Sequence, residues 1–221
     1  MYPVNFVIPG VSIDSYPGYS INYCFISCNC FLATIFLIGF DVYIILLSLH
    51  LASRFELCGC YFESVGKSDI DQLEFIKNGI NLHSETLELY NLCQNIMEPI
   101  VFIQMSSIIV KICCEMIIVL VNPFNQGYMT FLASIAQLFC YCVCGEIVST
   151  KASAVATKVC DSMWYNLKDT ETKKLLITVI HRSQKNCFFA IANYSPLTME
   201  TFAKILSITF KSFNFVRHIL H

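Results

Sequence analysis

Charge is what this sequence has least of. Lysine and arginine number 14, aspartate and glutamate 16, in 221 residues; that is 14% of the chain, against about 25% in soluble domains. A formal net charge of -2, with no basic stripe interleaved with aromatics, excludes an electrostatic nucleic-acid surface. The sequence has no glycine-rich phosphate loop, no G-x-S-x-G, no H-E-x-x-H and no calcium loop. Enzyme chemistry therefore has no residues to stand on, and neither a catalytic group nor a cofactor is assigned. His50, His83, His181, His218 and His221 fall at no ligand spacing, and the C-x-C-x-C of Cys140, Cys142 and Cys144 lacks the paired spacing of a zinc site, so no metal is expected. The first twenty residues contain no lysine or arginine but do contain Pro3, Pro9, Gly10, Pro17 and Gly18. That is loop chemistry rather than the basic and apolar regions of a cleavable leader, and it suggests that Met1 lies within an internal loop of a longer chain.

Apolar side chains are in excess. Hydrophobic residues make up 56% of the chain and the mean hydropathy is +0.60, above the about 45 to 50% of soluble proteins, so part of this surface needs a solvent other than water. Thirteen cysteines are present. Cys24, Cys28, Cys30, Cys113, Cys114, Cys140, Cys142 and Cys144 lie inside apolar runs, where cysteine packs as a small hydrophobe.

About 20 helical residues span the hydrocarbon core of a bilayer, and the chain offers four stretches of that length. The expected organisation is an extracellular loop over 1–20, a transmembrane helix over 21–51, a cytoplasmic helical region over 52–98 and a second transmembrane helix over 99–121. An extracellular turn over 122–127, a third transmembrane helix over 128–149, a cytoplasmic packing region over 150–187, a last transmembrane helix over 188–216 and an extracellular tail over 217–221 complete it. Residues 69–98 place Leu73, Ile76, Ile80, Leu87 and Ile96 at near-helical spacing among charges, the pattern of an amphipathic helix packed on protein. Pro99 suits the first turn of the helix that follows. Inside that second span Lys111 and Glu115, four apart, share a face and neutralise one another. The last stretch is the most polar, with Pro196, Glu200, Lys204 and Lys211, so it reads as a helix lining a conduit. The competing reading makes 188–198 a loop, with Glu200 and Lys204 paired at a helix end.

Lysine and arginine counts set the orientation. Connections 52–98 and 151–187 carry three and seven of them, while 1–20 and 122–127 carry none. By the positive-inside rule the two long connections are cytoplasmic, and four crossings leave both visible ends outside. Asn193-Tyr194-Ser195, the one glycosylation sequon in play, then falls on the cytoplasmic or membrane side, where it is not used.

The strings QLFCYCVCGEIVSTKASAVATKVCDSMWYNL, KKLLITVIHRSQK and SPLTMETFAKILSITFKSFNF resemble the carboxyl-terminal signature of insect odorant receptors. The matching positions are Gln137, Phe139, Tyr141, Cys142, Gly145, Ser153, Trp164, Tyr165, Arg182, Ser183, Gln184, Pro196, Leu197, Phe202 and Phe213. A weaker likeness runs upstream through His83, Pro99 and Ile112-Cys113. The resemblance implies an all-α, multi-pass transmembrane helical bundle with cytoplasmic helical extensions. It is an inverted seven-helix receptor-channel fold, amino end inside, of which only the last four helices are present.

The same resemblance implies an odorant-tuning subunit that binds volatile small molecules. With an obligate co-receptor it forms, in a hetero-tetramer embedded in membrane lipid, an odorant-gated non-selective cation channel of the sensory-neuron plasma membrane. It assigns Phe25, Asn29, Leu32, Phe36, Tyr128, Phe131, Leu132 and Ile135 to the ligand. Lys211, Phe215, His218 and Ile219 go to the pore, with Phe215 and Ile219 as its hydrophobic gate, and Trp164, Tyr165, Arg182, Ser183 and Gln184 go to subunit packing. Three residues depart from the family pattern: Lys211 replaces a small hydroxyl, Asn186 a proline and Cys160 a tyrosine. The alternatives are a truncated, non-conducting receptor fragment and a portion of an unrelated transporter, the latter calling for an inverted repeat that the sequence does not display.

Overall fold

The computed structural model describes residues 16–67, 71–121, 127–185, 187–191 and 195–220. Five α-helices, a single turn of 3-10 helix at Trp164–Asn166 and a two-stranded ribbon make up the described chain. The helices are α1 (Tyr16–Glu63), α2 (Gln72–Val121), α3 (Gly127–Asp161), α4 (Thr170–Ser183) and α5 (Met199–Leu220). Strands β1 (Ala190–Ile191) and β2 (Ser195–Pro196) pair antiparallel, with Ala190 opposite Pro196 and Ile191 opposite Ser195. The expected turn over 122–127 lies outside the described residues except for Gly127, as do Asn193 and Tyr194 of the sequon and residues 1–15 of the expected first loop.

Several boundaries differ from those the sequence suggests. α1 begins at Tyr16 rather than Ile21, with Pro17 and Gly18 inside its first turn, where a proline sacrifices no helical hydrogen bond. Pro99 does not start a helix; it lies in the interior of the 50-residue α2. A proline there removes the bond to the residue four before it, so the continuity of α2 rests on packing of the turns on either side. The last helix does not cover 188–216. Residues 188–198 hold the ribbon, the helix starts at Met199, and it runs through 217–220, which the sequence reading left as a tail. Among the described residues, three helices are long and apolar enough to cross a membrane, α1, α2 and α3. The expected fourth crossing, through α5, does not reach that measure, because Glu200, Lys204, Lys211 and Arg217 interrupt it.

The chain divides into two units, Met1–Leu46 and Leu47–His221. In the first, α1 carries large exposed apolar side chains along its length, including Phe31, Phe36, Leu37 and Ile38. The second holds a core built on helical periodicity. α1 buries Leu51, Phe55, Cys58 and Phe62; α2 buries Ile76, His83, Thr86, Tyr90, Cys93, Met97, Val101, Met105, Ile108 and Ile112; and α3 buries Ser134, Leu138, Tyr141, Val148, Val155 and Val159. Steps of three and four residues keep each set on one face of its helix, and α2 packs against α3, α4 and α5. Each fully buried Phe, Leu, Ile or Val contributes about 1.5–3 kcal/mol where its exposed alternative is water. The α1–α2 turn is fixed by Gly66, at φ +79°, where a Cβ would strike the Met163 carbonyl, and by Met163 N–H donating to the Val65 carbonyl at 3.2 Å. α4 is capped by Asp169, whose carboxylate accepts from the Glu171 and Thr172 amides. It buries Thr172, Leu176, Val179 and Ser183. The paired Lys111 and Glu115 are found at 3.9 Å, and Ser134 Oγ donates to Glu115 at 2.8 Å.

Two features of this core are polar or tight. His83, in the charged amino-terminal half of α2, is 2% exposed. Its Nε2 lies 3.4 Å from Ser183 Oγ and its ring meets Phe62 edge to face. Burial, and secondarily Arg182, pushes its pKa down to about 4. On α3, a Cβ at Gly145 would overlap the Leu197 carbonyl oxygen, so glycine lets the helix backbone touch the segment that leads into α5.

Two predictions follow from these contacts. Gly145→Ala gains about 1 kcal/mol of helix propensity but forces the Leu197 backbone away, a strain of about 1–3 kcal/mol or more. Gly39→Ala, where nothing lies within 4 Å of the new methyl, gains the propensity alone. Thermal unfolding of the detergent-solubilised receptor should therefore drop for the first variant and hold or rise for the second. For His83, the folded state stays neutral while the unfolded state takes up a proton as pH falls below about 6.5. Its contribution is thus complete above that pH and lost progressively toward about 4, about 2 kcal/mol by pH 5. His83→Gln should flatten the dependence of the melting temperature on pH between 7 and 5.

Candidate functional site

The segment from Cys187 to Thr198 reads as loop chemistry, yet among its described residues backbone groups of Phe188 and Ala190 are held by the long helix α2. Tyr90 Oη donates to the Phe188 carbonyl at 2.7 Å, and burial, then the Cys187 thiol, pushes that phenol up to about 12, so it remains a donor. The Ala190 amide donates to Gln94 Oε1 at 3.2 Å, and the Leu197 amide to the Phe189 carbonyl at 2.8 Å. The Met199 amide, first of α5, donates to Glu146 Oε2 of α3 at 3.3 Å, which places a carboxylate at the positive end of the helix dipole. Thr201 Oγ1 closes the turn by donating to the Pro196 carbonyl at 2.6 Å. None of these contacts is visible as a motif; only Gly145, Pro196 and Leu197 carry a signal, through the family resemblance.

So anchored, α5 presents two faces. Phe202, Thr209 and Phe213 pack inward: Phe202 meets Phe139 of α3 edge to face at 5.6 Å, and Thr209 and Phe213 line a small cavity of about 40 Å³ with Cys113 and Ile117 of α2. The opposite face, at helical steps, holds Glu200, Lys204, Ile208, Lys211, Phe215 and His218, all exposed. Phe215 is 68% exposed and Ile208 62%. Lys204 and Glu200 pair at 2.6 Å, as the competing sequence reading has it, and the described residues of 188–198 hold the ribbon in place of a continuous helix. Ile219 belongs to α5, but its side chain lies outside the described residues.

The residues assigned to the ligand form two stripes, one in each unit. In the first unit, Phe25, Asn29, Leu32 and Phe36 follow one face of α1 and are exposed, the Asn29 amide donating to the Phe25 carbonyl at 2.8 Å. In the second, Tyr128 and Leu132 are exposed and Phe131 and Ile135 half-buried on the first two turns of α3. The residues assigned to subunit packing divide. Trp164 and Tyr165, their rings 6.3 Å apart, are exposed, as are Arg182 and Gln184. Ser183 instead turns inward against His83. Beside Trp164, a cavity of about 460 Å³ opens between α3 and α4, lined by Val159, Cys160, Trp164, Lys173, Leu176, Ile177 and Ile180. Among the described residues no three His, Cys, Asp or Glu side chains gather as metal ligands, and the thirteen cysteines are all unpaired thiols, Cys142 and Cys144 among the buried ones.

The model of the 7tm Odorant receptor family matches residues 1–210. Odorant receptor 22c of Drosophila melanogaster is 29% identical over 112 residues, covering 49% of this chain and 27% of that protein. Odorant receptor 10 of Aedes albopictus is 23% identical over 168 residues, covering 67% of this chain and 44% of that protein. The chain thus spans less than half the length of these relatives. The insect olfactory receptor OR5 from Machilis hrabei, solved in complex with eugenol, superposes with a TM-score of 0.78 at 12% identity, over 99% of this chain and 56% of that one. With three apolar helices of spanning length, the packing of a solved olfactory receptor and a family match along nearly its whole length, this chain belongs to the 7tm odorant receptor family as a multi-pass protein of the plasma membrane.

Proposed function

We propose that the receptor containing this sequence is an odorant-tuning subunit. It binds small volatile organic molecules and forms, with an obligate co-receptor, an odorant-gated non-selective cation channel whose pore is lined in part by α5. The observation that carries the reading is the exposed face of α5. A column of Glu200, Lys204, Lys211, Phe215 and His218 opposite a well-packed face is costly against lipid and suited to a water-filled path shared between subunits. Phe215, with Ile219 one turn on, supplies the apolar constriction that dewets when closed.

Each of the apolar stripes Phe25–Phe36 and Tyr128–Ile135 lines an apolar odorant pocket. Such a pocket binds by burial, at about 25 cal/mol per Å² of ligand surface. That OR5 was solved with eugenol supports a ligand of this size and polarity. Exposed Trp164, which lines the apolar cavity, and its exposed neighbour Tyr165 suit the packing of a neighbouring subunit in the tetramer. Lys211 sets this subunit apart: a unit charge within about 4 Å of a permeant cation opposes it by about 1 kcal/mol even in water.

Lys211→Ser in the complete receptor, co-expressed with its co-receptor, should raise odorant-evoked cation current by a factor of about two to five; an unchanged current places Lys211 off the conduction path. An epitope tag added after His221 should be reached by antibody on intact cells. Staining only after permeabilisation would put the carboxyl end in the cytoplasm and overturn the crossing by α5.

A further inference from the structure

The corner where α3 hands over to α4 encloses the cavity of about 460 Å³ beside Trp164, and neither odorant binding nor conduction uses it. Its floor is apolar and buried: Val159, from the last turn of α3, is 1% exposed and Leu176 of α4 3%. Trp164 and Ile177 form the rim, at 45% and 64%. On α4 the wall follows helical steps, with Lys173, Leu176, Ile177 and Ile180 on one face. Lys173 lies in the first turn and Ile180 two turns later, about 10 Å along the axis. The cavity thus has one cationic end and an apolar remainder. Lys173 is half-buried, and among the described residues it joins no ion pair. Asp169, one turn earlier, commits its carboxylate to the cap: it accepts from the Glu171 and Thr172 amides and from Thr172 Oγ1 at 2.7 Å.

We propose that this cavity binds a free long-chain carboxylic acid, its carboxylate on the Lys173 ammonium and its alkyl chain along Leu176, Ile177 and Ile180 over the Val159 floor. The volume falls within the about 300–1,000 Å³ of small-molecule pockets, which are mostly apolar with a few polar groups that fix orientation. A hydrocarbon guest would fill the floor but leave the ammonium facing apolar surface without a partner, which is costly. An anion supplies a charge-assisted hydrogen bond there, and a cationic amphiphile is repelled. A diacyl phospholipid carries a second chain for which the single apolar wall of α4 has no place. The subunit packing proposed for Trp164 covers the rim and leaves the floor to the acid. This is a second ligand site, separate from the odorant stripe on the same helix: Ile135 and Val159 stand about 36 Å apart along α3.

The experiment uses the complete receptor, assembled in phosphatidylcholine nanodiscs, and a dodecanoic acid bearing a diazirine on its chain. After photolysis, labelled peptides are located by mass spectrometry, with and without excess dodecanoate or dodecanol. We expect label on the peptides that hold Val159, Trp164 and Ile177. Dodecanoate should displace it about fivefold more effectively than dodecanol, the size of one part-exposed ion pair. Lys173→Gln should abolish that preference while the labelling persists. Ile177→Trp, at an exposed rim position that spares the core, fills the cavity and should cut the labelling at least about tenfold; it decides the matter alone if the lysine variant fails to reach the membrane. Label absent from these peptides, as when a neighbouring subunit fills the cavity, overturns the proposal. So does label indifferent to Ile177→Trp, equal displacement by acid and alcohol, or a preference for the acid that survives Lys173→Gln. Displacement by discs containing an anionic phospholipid but not by dodecanoate overturns it in favour of a membrane lipid.

Discussion

Everything that α5 does depends on how the ribbon before it is tied down. A backbone that leaves helical geometry between α4 and α5 exposes amide and carbonyl groups that need partners. Tyr90 and Gln94 of α2 and Glu146 of α3 supply them at 2.7, 3.2 and 3.3 Å. The absence of a side chain at Gly145 lets Leu197 lie against α3. These contacts fix both the residue at which α5 begins and the rotation it starts with. They direct Phe202, Thr209 and Phe213 to the neighbouring helices and leave Lys211 and Phe215 on the other side.

The second constraint is solvent. α1 and α2, at 48 and 50 residues, are more than twice the roughly 20 residues a bilayer requires, so each passes from lipid into water without a break. The buried stripe keeps its three-and-four spacing throughout α2, from Ile76 to Ile112. What changes is the outward face. Toward the membrane it is apolar, as at Phe102, Ile103 and Val110. In the amino-terminal half it carries charge. The ladder of Glu56, Lys151, Cys60, Lys158 and Glu63 gives α1 and α3 a charged stretch of the kind that is costly against lipid.

Much of the architecture was legible in order: the apolar runs behind α1, α2 and α3, the Lys111–Glu115 pair and the amphipathic pattern upstream of Pro99. Pro99 itself misled, because a rule about isolated helices gave way to tertiary packing on both sides. His83 gives no local sign that it is buried, since only the approach of α4 brings Ser183 to it. Of the candidate site, Lys211 and Phe215 came from the family resemblance, and their four-residue spacing puts them on one face of α5. The place where that helix starts did not.

The sequence by itself determined what surrounds this protein: scarce charge and long apolar runs require lipid, and helical spacing within each run decides which side chains share a face, because both are local properties of the chain. Tertiary structure alone decided how α5 is launched, which of the matched family residues turn inward, and that Lys158 lies over Gly59 to meet Cys60. Each of these joins residues about 50 to 100 positions apart, and no local spacing encodes a contact that exists only once helices distant in the chain have packed.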